Sequence, residues 1–272
     1  MFIKRSKATL LGAVVAFGSL AGAAQAATLE VTFTNEQTGA GLFLTPVLSV
    51  FHNGYDAFDA GSAASGALEA LAEEGMVGAL QAEAEAAGAT TSVITSPGGF
   101  PGAPVIDPGE APTISVHVDP ATSQYFSFFS MVIPSNDAFI GNDDPFAYRI
   151  FDAAGEFTGP LSISIFGGNI WDAGTEVNFE NGSGDGAAFA VNGGPPGSGT
   201  PENSVIALAG NVDYLFGTSI PTGGTIGSVP GNFTLLGTID VELAPVPLPA
   251  GMPLLLAGLG GLAFMKRRKR AK

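Results

Sequence analysis

The chain has 272 residues, 25 acidic against 10 basic, a formal charge of −15 and no cysteine. Cations this sparse exclude a nucleic-acid role, which needs Lys and Arg clustered against phosphate, and the lack of Cys excludes a disulfide framework. The fold must rest on its own apolar core, for which one substantial domain of this length suffices.

Lys4, Arg5 and Lys7 precede an apolar run from Ala8 to Ala24, followed by Ala24-Gln25-Ala26 with small residues at both positions a signal peptidase reads. This three-part order predicts a secretory signal helix over residues 1–26, cleaved after Ala26. Six further cations lie at 266–272, so Arg149 is the single basic residue between Ala27 and Ala244, where all 25 carboxylates fall. The exported part therefore carries about −24, a self-repulsion that salt or divalent cations must screen. The excess acid serves solubility in saline or wall-rich surroundings, or some of it binds calcium.

In the exported part, Leu29, Val31 and Phe33 alternate with Glu30, Thr32 and Thr34, the period-two pattern of a half-buried strand. Leu42 to Phe51 is a second extended stretch. Between Ser65 and Ala87 the composition turns to Ala, Leu and Glu, predicting helix that Gly75 and Gly78 break in two. Residues 96–112 form a Pro/Gly loop. Strands are predicted over Thr113–Val118, Tyr125–Ile133, Ala147–Phe151, Leu161–Phe166, Ser204–Ala209 and Phe233–Val241, with a long Gly/Pro/Ser/Asn loop at 182–201. Many strands separated by turn chemistry, with one short helical insert, predict a mainly β fold: an antiparallel β-sandwich spanning residues 27–243.

The polar residues concentrate in two loops. One runs from Pro134 through Asn136, Asp137, Asn142, Asp143 and Asp144; the other is Trp171-Asp172-Ala173-Gly174-Thr175-Glu176. Calcium takes six to eight oxygens, and carboxylates four positions apart around a Gly turn can converge on one ion. Asp172 and Glu176 have that spacing, although Asx-Gly turns use the same residues to cap backbone groups. Catalysis has little to draw on. His52 and His117 are the two histidines of the chain, and Gly182-Ser183-Gly184 lies in a loop rather than in a strand-to-helix elbow. A pair of carboxylates acting on a polysaccharide is the enzymatic alternative. Trp171 serves as a core anchor or as a sugar-stacking face.

Residues 244–272 close with Val246-Pro247-Leu248-Pro249-Ala250-Gly251, an apolar Gly-rich segment over 252–265 and the basic run from Lys266 to Lys272. A basic cluster directly after an apolar segment stops translocation and faces inward. As a helix the 252–265 segment would be about 21 Å long, against a hydrocarbon core of about 30 Å, which suits a transient sorting signal in the inner membrane. Motif, order and position closely resemble the VPLPA variant of PEP-CTERM tails. That resemblance implies recognition by a membrane sorting protease of the exosortase type and delivery to the cell surface or beyond.

A second resemblance spans roughly Ala27 to Val241. Leu44-Thr45-Pro46-Val47 with His52, Ala64-Ser65-Gly66 followed by Leu71 to Gly75, Ser130 to Gly141, and Trp171 to Glu176 occur in the order of the spondin domain. The resemblance implies a C2-like sandwich, an extracellular adhesion or matrix setting and a calcium ion held by loop carboxylates. Its ligands fall on Asp137, Asp172 and Glu176, with a backbone carbonyl near Trp171, and Asp143 or Asp144 is the alternative or supplement to Asp137. Glu176 stands where animal members have Asp, Asn136 where they have Pro, and their cysteines are missing. The sequence thus predicts a non-enzymatic, calcium-binding, surface-sorted domain whose partners are the sorting protease, the membrane and an acidic exopolysaccharide or surface protein. A permanently anchored structural protein without ligand is the further alternative.

Overall fold

A computed structural model describes residues 26–96, 104–178, 199–220 and 224–245. The predicted signal helix, most of the 182–201 loop and the predicted sorting tail from Val246 onward lie outside the described residues. Among those described, no helix is long and apolar enough to cross a membrane.

Among the described residues, eleven strands make two antiparallel sheets. Strands β1 (Ala27–Asn35), β5 (Thr113–Val118), β8 (Leu161–Phe166) and β11 (Leu235–Leu243) form a four-stranded sheet in the order β5-β1-β11-β8. The second sheet runs β10-β9-β7-β6-β3-β4, from β10 (Ala207–Leu208), β9 (Ile170–Asp172), β7 (Ala138–Gly141), β6 (Tyr125–Ile133), β3 (Val47–His52) and β4 (Thr90–Ile94). A two-residue strand β2 (Phe43–Leu44) adds to β6.

The alternation in β1 does what its period dictates: Leu29, Val31 and Phe33 are fully buried against the facing sheet. Strand β3 is instead buried at all six positions, because helices α1 (Gly66–Glu74) and α2 (Gly78–Ala86) cover the outer face of its sheet. Leu68, Leu71, Ala72, Leu80 and Ala84 pack there against Leu48, Val50, Phe129 and Phe139. The interior therefore has two apolar layers, one between the sheets and one under the helices. Ser65 caps α1 by accepting from Leu68 N at 3.2 Å, and Gly75 ends it in the left-handed conformation.

Three predicted strands change. Ala147–Phe151 supplies isolated bridges only, Arg149 to Tyr125 and Phe151 to Phe157, because β3 and β7 already occupy both edges of β6. The Ser204–Ala209 stretch shortens to β10, since Ser204 and Ile206 give their N–H groups to Gly174 O and Ser62 O in neighbouring loops. The last strand begins at Leu235, after a turn closed by Thr234 N to Gly231 O, and runs on to Leu243.

The sandwich has two distinct poles. At one, Ala27 pairs with Val118 and Ala244 N donates to Thr28 O, so both ends of the described domain emerge together. At the other, Asn35 Nδ2 ties the end of β1 to Leu42 O and Ile106 O, beside β2, which pairs with the end of β6. The loop after Ile133 belongs to this second pole.

Candidate functional site

Strand β6 runs straight into a tight turn containing a cis Ile133–Pro134 bond. Ser135 braces the turn, its hydroxyl donating to Val132 O while accepting from Ala138 N at 3.0 Å. This brings Asp137 to the first position before β7 with no exposed surface. Pairing of β7 with β9 sets Asp172 opposite Ala138, and the loop that follows closes over Asp137. Asp137 Oδ2 accepts from Thr175 N at 3.0 Å, Glu176 N at 3.1 Å and the Thr175 hydroxyl at 3.3 Å. Consecutive N–H groups aimed at one oxygen form an anion-binding nest.

Gly174 makes that loop possible. Its φ of +67° lies in the left-handed region, and a Cβ there would stand 2.8 Å from Val205 O. Its N–H goes to Asp172 Oδ1 at 2.8 Å, and Asp172 Oδ2 accepts from Asn178 Nδ2. Asp172 thus holds its own loop and also faces Asp137. Burial, then the Asp172 charge, push the Asp137 carboxyl up to about 7 against the pull of its hydrogen bonds.

Glu176 is 3 % exposed, and its Oε1 accepts from Gly199 N at 2.6 Å. Burial, with added repulsion from Glu73 and Glu69 on α1, pushes it up to about 7 against the Gly199 hydrogen bond. Its carboxylate therefore couples to the helix acids, while Asp137 couples to Asp172. Trp171 donates from Nε1 to Gly141 O at 3.0 Å and packs edge-on against Phe58 at 5.3 Å, so it anchors the strand pair through its side chain. Asp143 and Asp144 stand apart, accepting from Ala60 N and Phe146 N, and their charges bear on Asp56 instead.

Four buried side-chain oxygens of these two loops lack a hydrogen-bond partner: Asn136 Oδ1, Asp137 Oδ1, Glu176 Oε2 and Asn178 Oδ1. An unpaired buried oxygen costs about 1–3 kcal/mol, more when charged. Oxygen donors left unsatisfied in this number suit a hard cation. Among the described residues, however, no three His, Cys, Asp or Glu side chains converge closely enough to hold a metal. The unpartnered oxygens thus belong to Asp137, Glu176 and two asparagines, whereas both oxygens of Asp172 accept hydrogen bonds within its own loop.

Residues 38–186 match the family model of the spondin N-terminal domain, Spondin_N. The chain belongs to the spondin N-terminal domain family. The matched segment runs from β2 through β9 and contains both loops, whereas β1 and β11, the central pair of the smaller sheet, lie outside it. No curated protein matches the chain. Membership of the spondin family carries an extracellular or cell-surface setting and, in general, no catalytic activity.

Sequence reasoning missed Asn136 and Asn178 as oxygen donors, and Tyr214, whose hydroxyl is pushed upward by burial and by the Asp137 and Asp172 charges. The asparagines sit one and two positions from motif acids and could have been drawn in by proximity. Tyr214 is too remote in sequence to carry any signal. In this spondin domain His52 and Ser127 also meet, His52 Nε2 lying 2.9 Å from the Ser127 hydroxyl. Yet His52 Nδ1 accepts from Gly54 N and Tyr55 N, at 3.0 and 3.1 Å. The ring proton therefore sits on Nε2 and points at Ser127, the reverse of what a general base requires.

Proposed function

We propose that this spondin domain is an exported, surface-sorted, non-catalytic calcium-binding module serving adhesion or matrix association. The observation that carries the reading is Asp137: a fully buried carboxylate with one oxygen in a nest of N–H groups, the other unpartnered, and a second carboxylate beside it. A bound calcium ion supplies the positive charge that this buried pair lacks.

The chain's own residues do the rest. The Thr175 and Glu176 N–H groups fix Asp137 Oδ2, so that Oδ1 remains as a donor. Asp172 adds the second carboxylate from the loop that Gly174 turns. Asn136 and Asn178 supply neutral oxygens, and the Trp171 segment adds a backbone carbonyl. Glu176 joins this set by releasing Gly199 and turning its carboxylate away from α1. Neutralising these acids stabilises the loops at the second pole and permits a bridge to an acidic polysaccharide.

The domain boundaries fit that role: a signal at 1–26, the sandwich at 27–243 and a sorting tail from 244. Tail and mature N-terminus both leave from the first pole, so a tethered chain presents the two loops away from the membrane. The mass of the protein recovered from its host tests the sorting step, because exosortase-type cleavage shortens it and a lasting anchor does not.

The calcium step is tested by the thermal midpoint in EGTA and in millimolar calcium, for the parent and for Asp172→Ala/Glu176→Ala. Calcium at a hundred times its Kd adds about 2.7 kcal/mol, a rise of about 5–10 °C for a domain of this size. The double variant should show no rise. An unresponsive parent would mean that the loop carboxylates only cap turns.

A further inference from the structure

The sandwich is open along one side, where β8 and β10 end their respective sheets and parts of both acidic loops come to the surface. Between them lies a hollow of about 250 Å³ whose lining includes Trp171, Tyr148, Phe128, Asp143, Asp144 and Asn169. Asn169 also borders a second, more open hollow of about 390 Å³ formed with Phe166 and Phe233. The two hollows adjoin at Asn169, and we infer that together they form a binding site for a neutral saccharide chain. The inference goes beyond the calcium reading and does not rest on it.

The aromatic surfaces are held in place before any ligand arrives. Trp171 is fixed by its Nε1 bond to Gly141 O and by the edge contact with Phe58. Phe233 is 95 % exposed, which forfeits the burial that usually pays for a Phe side chain. Its backbone is nevertheless pinned: Gly168 N donates to Asn232 O and Gly167 N to Thr234 O, on either side of it. The contact is so close that a Cβ on Gly167 would stand 2.6 Å from Pro230 O and Gly231 O. An exposed aromatic ring on a rigid backbone loses little freedom when something stacks on it.

The polar lining completes the argument. Asp143 and Asp144 each commit one carboxylate oxygen to a backbone N–H, which orients the group and leaves the other oxygen as an acceptor. Asn169 commits its Oδ1 to Phe166 N at 2.8 Å and keeps its Nδ2 as a donor. Aromatic faces beside fixed acceptors and a donor match a sugar ring, which offers apolar C–H faces and a belt of hydroxyls. Two carboxylates in that lining, in a domain with a single cation, reject uronates, phosphates and sulfates. The occupant is therefore uncharged, and two joined hollows suit adjoining units of a chain better than one isolated ring.

Trp171 is the one tryptophan of the chain and lines the first hollow, so in EGTA its emission serves as the reporter of binding there. The full chain, held in a detergent without a sugar headgroup and in EGTA, is titrated with cellohexaose, maltohexaose, laminarihexaose and mannohexaose. Hexagalacturonate and an extended Val/Thr octapeptide serve as comparisons. At least one neutral hexasaccharide should shift the emission saturably, and Phe233→Ala and Asp144→Ala should each weaken binding about threefold to tenfold. Phe216→Ala, an exposed aromatic outside both hollows, should leave it unchanged. The inference is overturned if no neutral hexasaccharide shifts the emission at millimolar concentration, if only hexagalacturonate or the peptide does, or if Phe233→Ala and Asp144→Ala both bind like the parent. Because calcium is absent throughout, failure of the calcium reading leaves this result unaffected.

Discussion

Protonating His52 should destabilise this domain from the inside. The ring is 1 % exposed, accepts two backbone N–H groups at Nδ1 and donates from Nε2 to Ser127, so both nitrogens are committed to the neutral form. Burial lowers its pKa from 6.5 to about 4. A folded-state pKa below the unfolded one means that the unfolded chain takes up the proton first. The contribution of His52 is therefore complete above pH 6.5 and is lost as pH falls from 6.5 through 4. A displacement of that size corresponds to about 3 kcal/mol, a large share of the roughly 5–15 kcal/mol that holds a domain together.

The perturbation is His52→Asn, whose Oδ1 replaces Nδ1 as acceptor for Gly54 and Tyr55 but does not titrate. Urea unfolding of both proteins, followed by Trp171 emission at half-unit steps from pH 8 to 4, gives the difference in stability. Above pH 7 the difference should be constant and favour the parent by about 1–3 kcal/mol, for the lost Ser127 bond and the smaller side chain. Below 6.5 it should shrink and then change sign. A difference that stays level from pH 7 to 4 would refute the reasoning, since it would mean that His52 titrates alike in both states.

The acidic loops should respond in the opposite sense. Asp137 and Glu176, each pushed up to about 7, ionise in the unfolded chain before the folded one, so without calcium their contribution falls as pH rises from about 4 to 7 and is level above that. Asp137→Asn keeps an oxygen for Thr175 and Glu176 and removes the buried charge. It should raise the midpoint in EGTA at pH 8 by about 2–4 °C for each kcal/mol recovered, and a lower midpoint would contradict the account. Gly174→Ala should destabilise by more than 1 kcal/mol, roughly the left-handed backbone penalty alone, because its Cβ also meets Val205 O. Gly210→Ala, at φ +73° with nothing within 4 Å, should cost less; equal losses in urea unfolding would show that the Val205 contact is not felt.

The legible parts of the fold were those where one residue sequence served one environment. Strand β1 alternates because one face is buried, and the Ala/Leu/Glu stretch broke at Gly75 and Gly78, where two helices meet. Strands β4, β7 and β9 were not foreseen. Ala138–Gly141 is four residues inside a loop-like run of Pro, Asn and Asp, and it becomes a strand only because β6 offers an open edge. In the candidate site, the Asp-Ala-Gly-Thr-Glu motif lies in the loop that closes over Asp137, which the turn after Ile133 brings to it. What spacing could not convey is direction. Glu176 lies four positions from Asp172, yet its carboxylate accepts from Gly199 N, beyond the long loop, and is near enough to α1 to feel the Glu73 and Glu69 charges. The two hollows were illegible for a similar reason, since the residues of each, Trp171 and Asp144 in one and Phe166 and Phe233 in the other, come from segments far apart in sequence.

The most direct measurement is a calorimetric titration of calcium into the metal-free chain and into Asp137→Asn. One ion bound per chain, with binding abolished in the variant while its unfolding stays cooperative, is the result the account predicts. No binding by the parent, or equal binding by both, would contradict it and would leave Asp137 as a buried carboxylate that serves only to fasten the Thr175 loop.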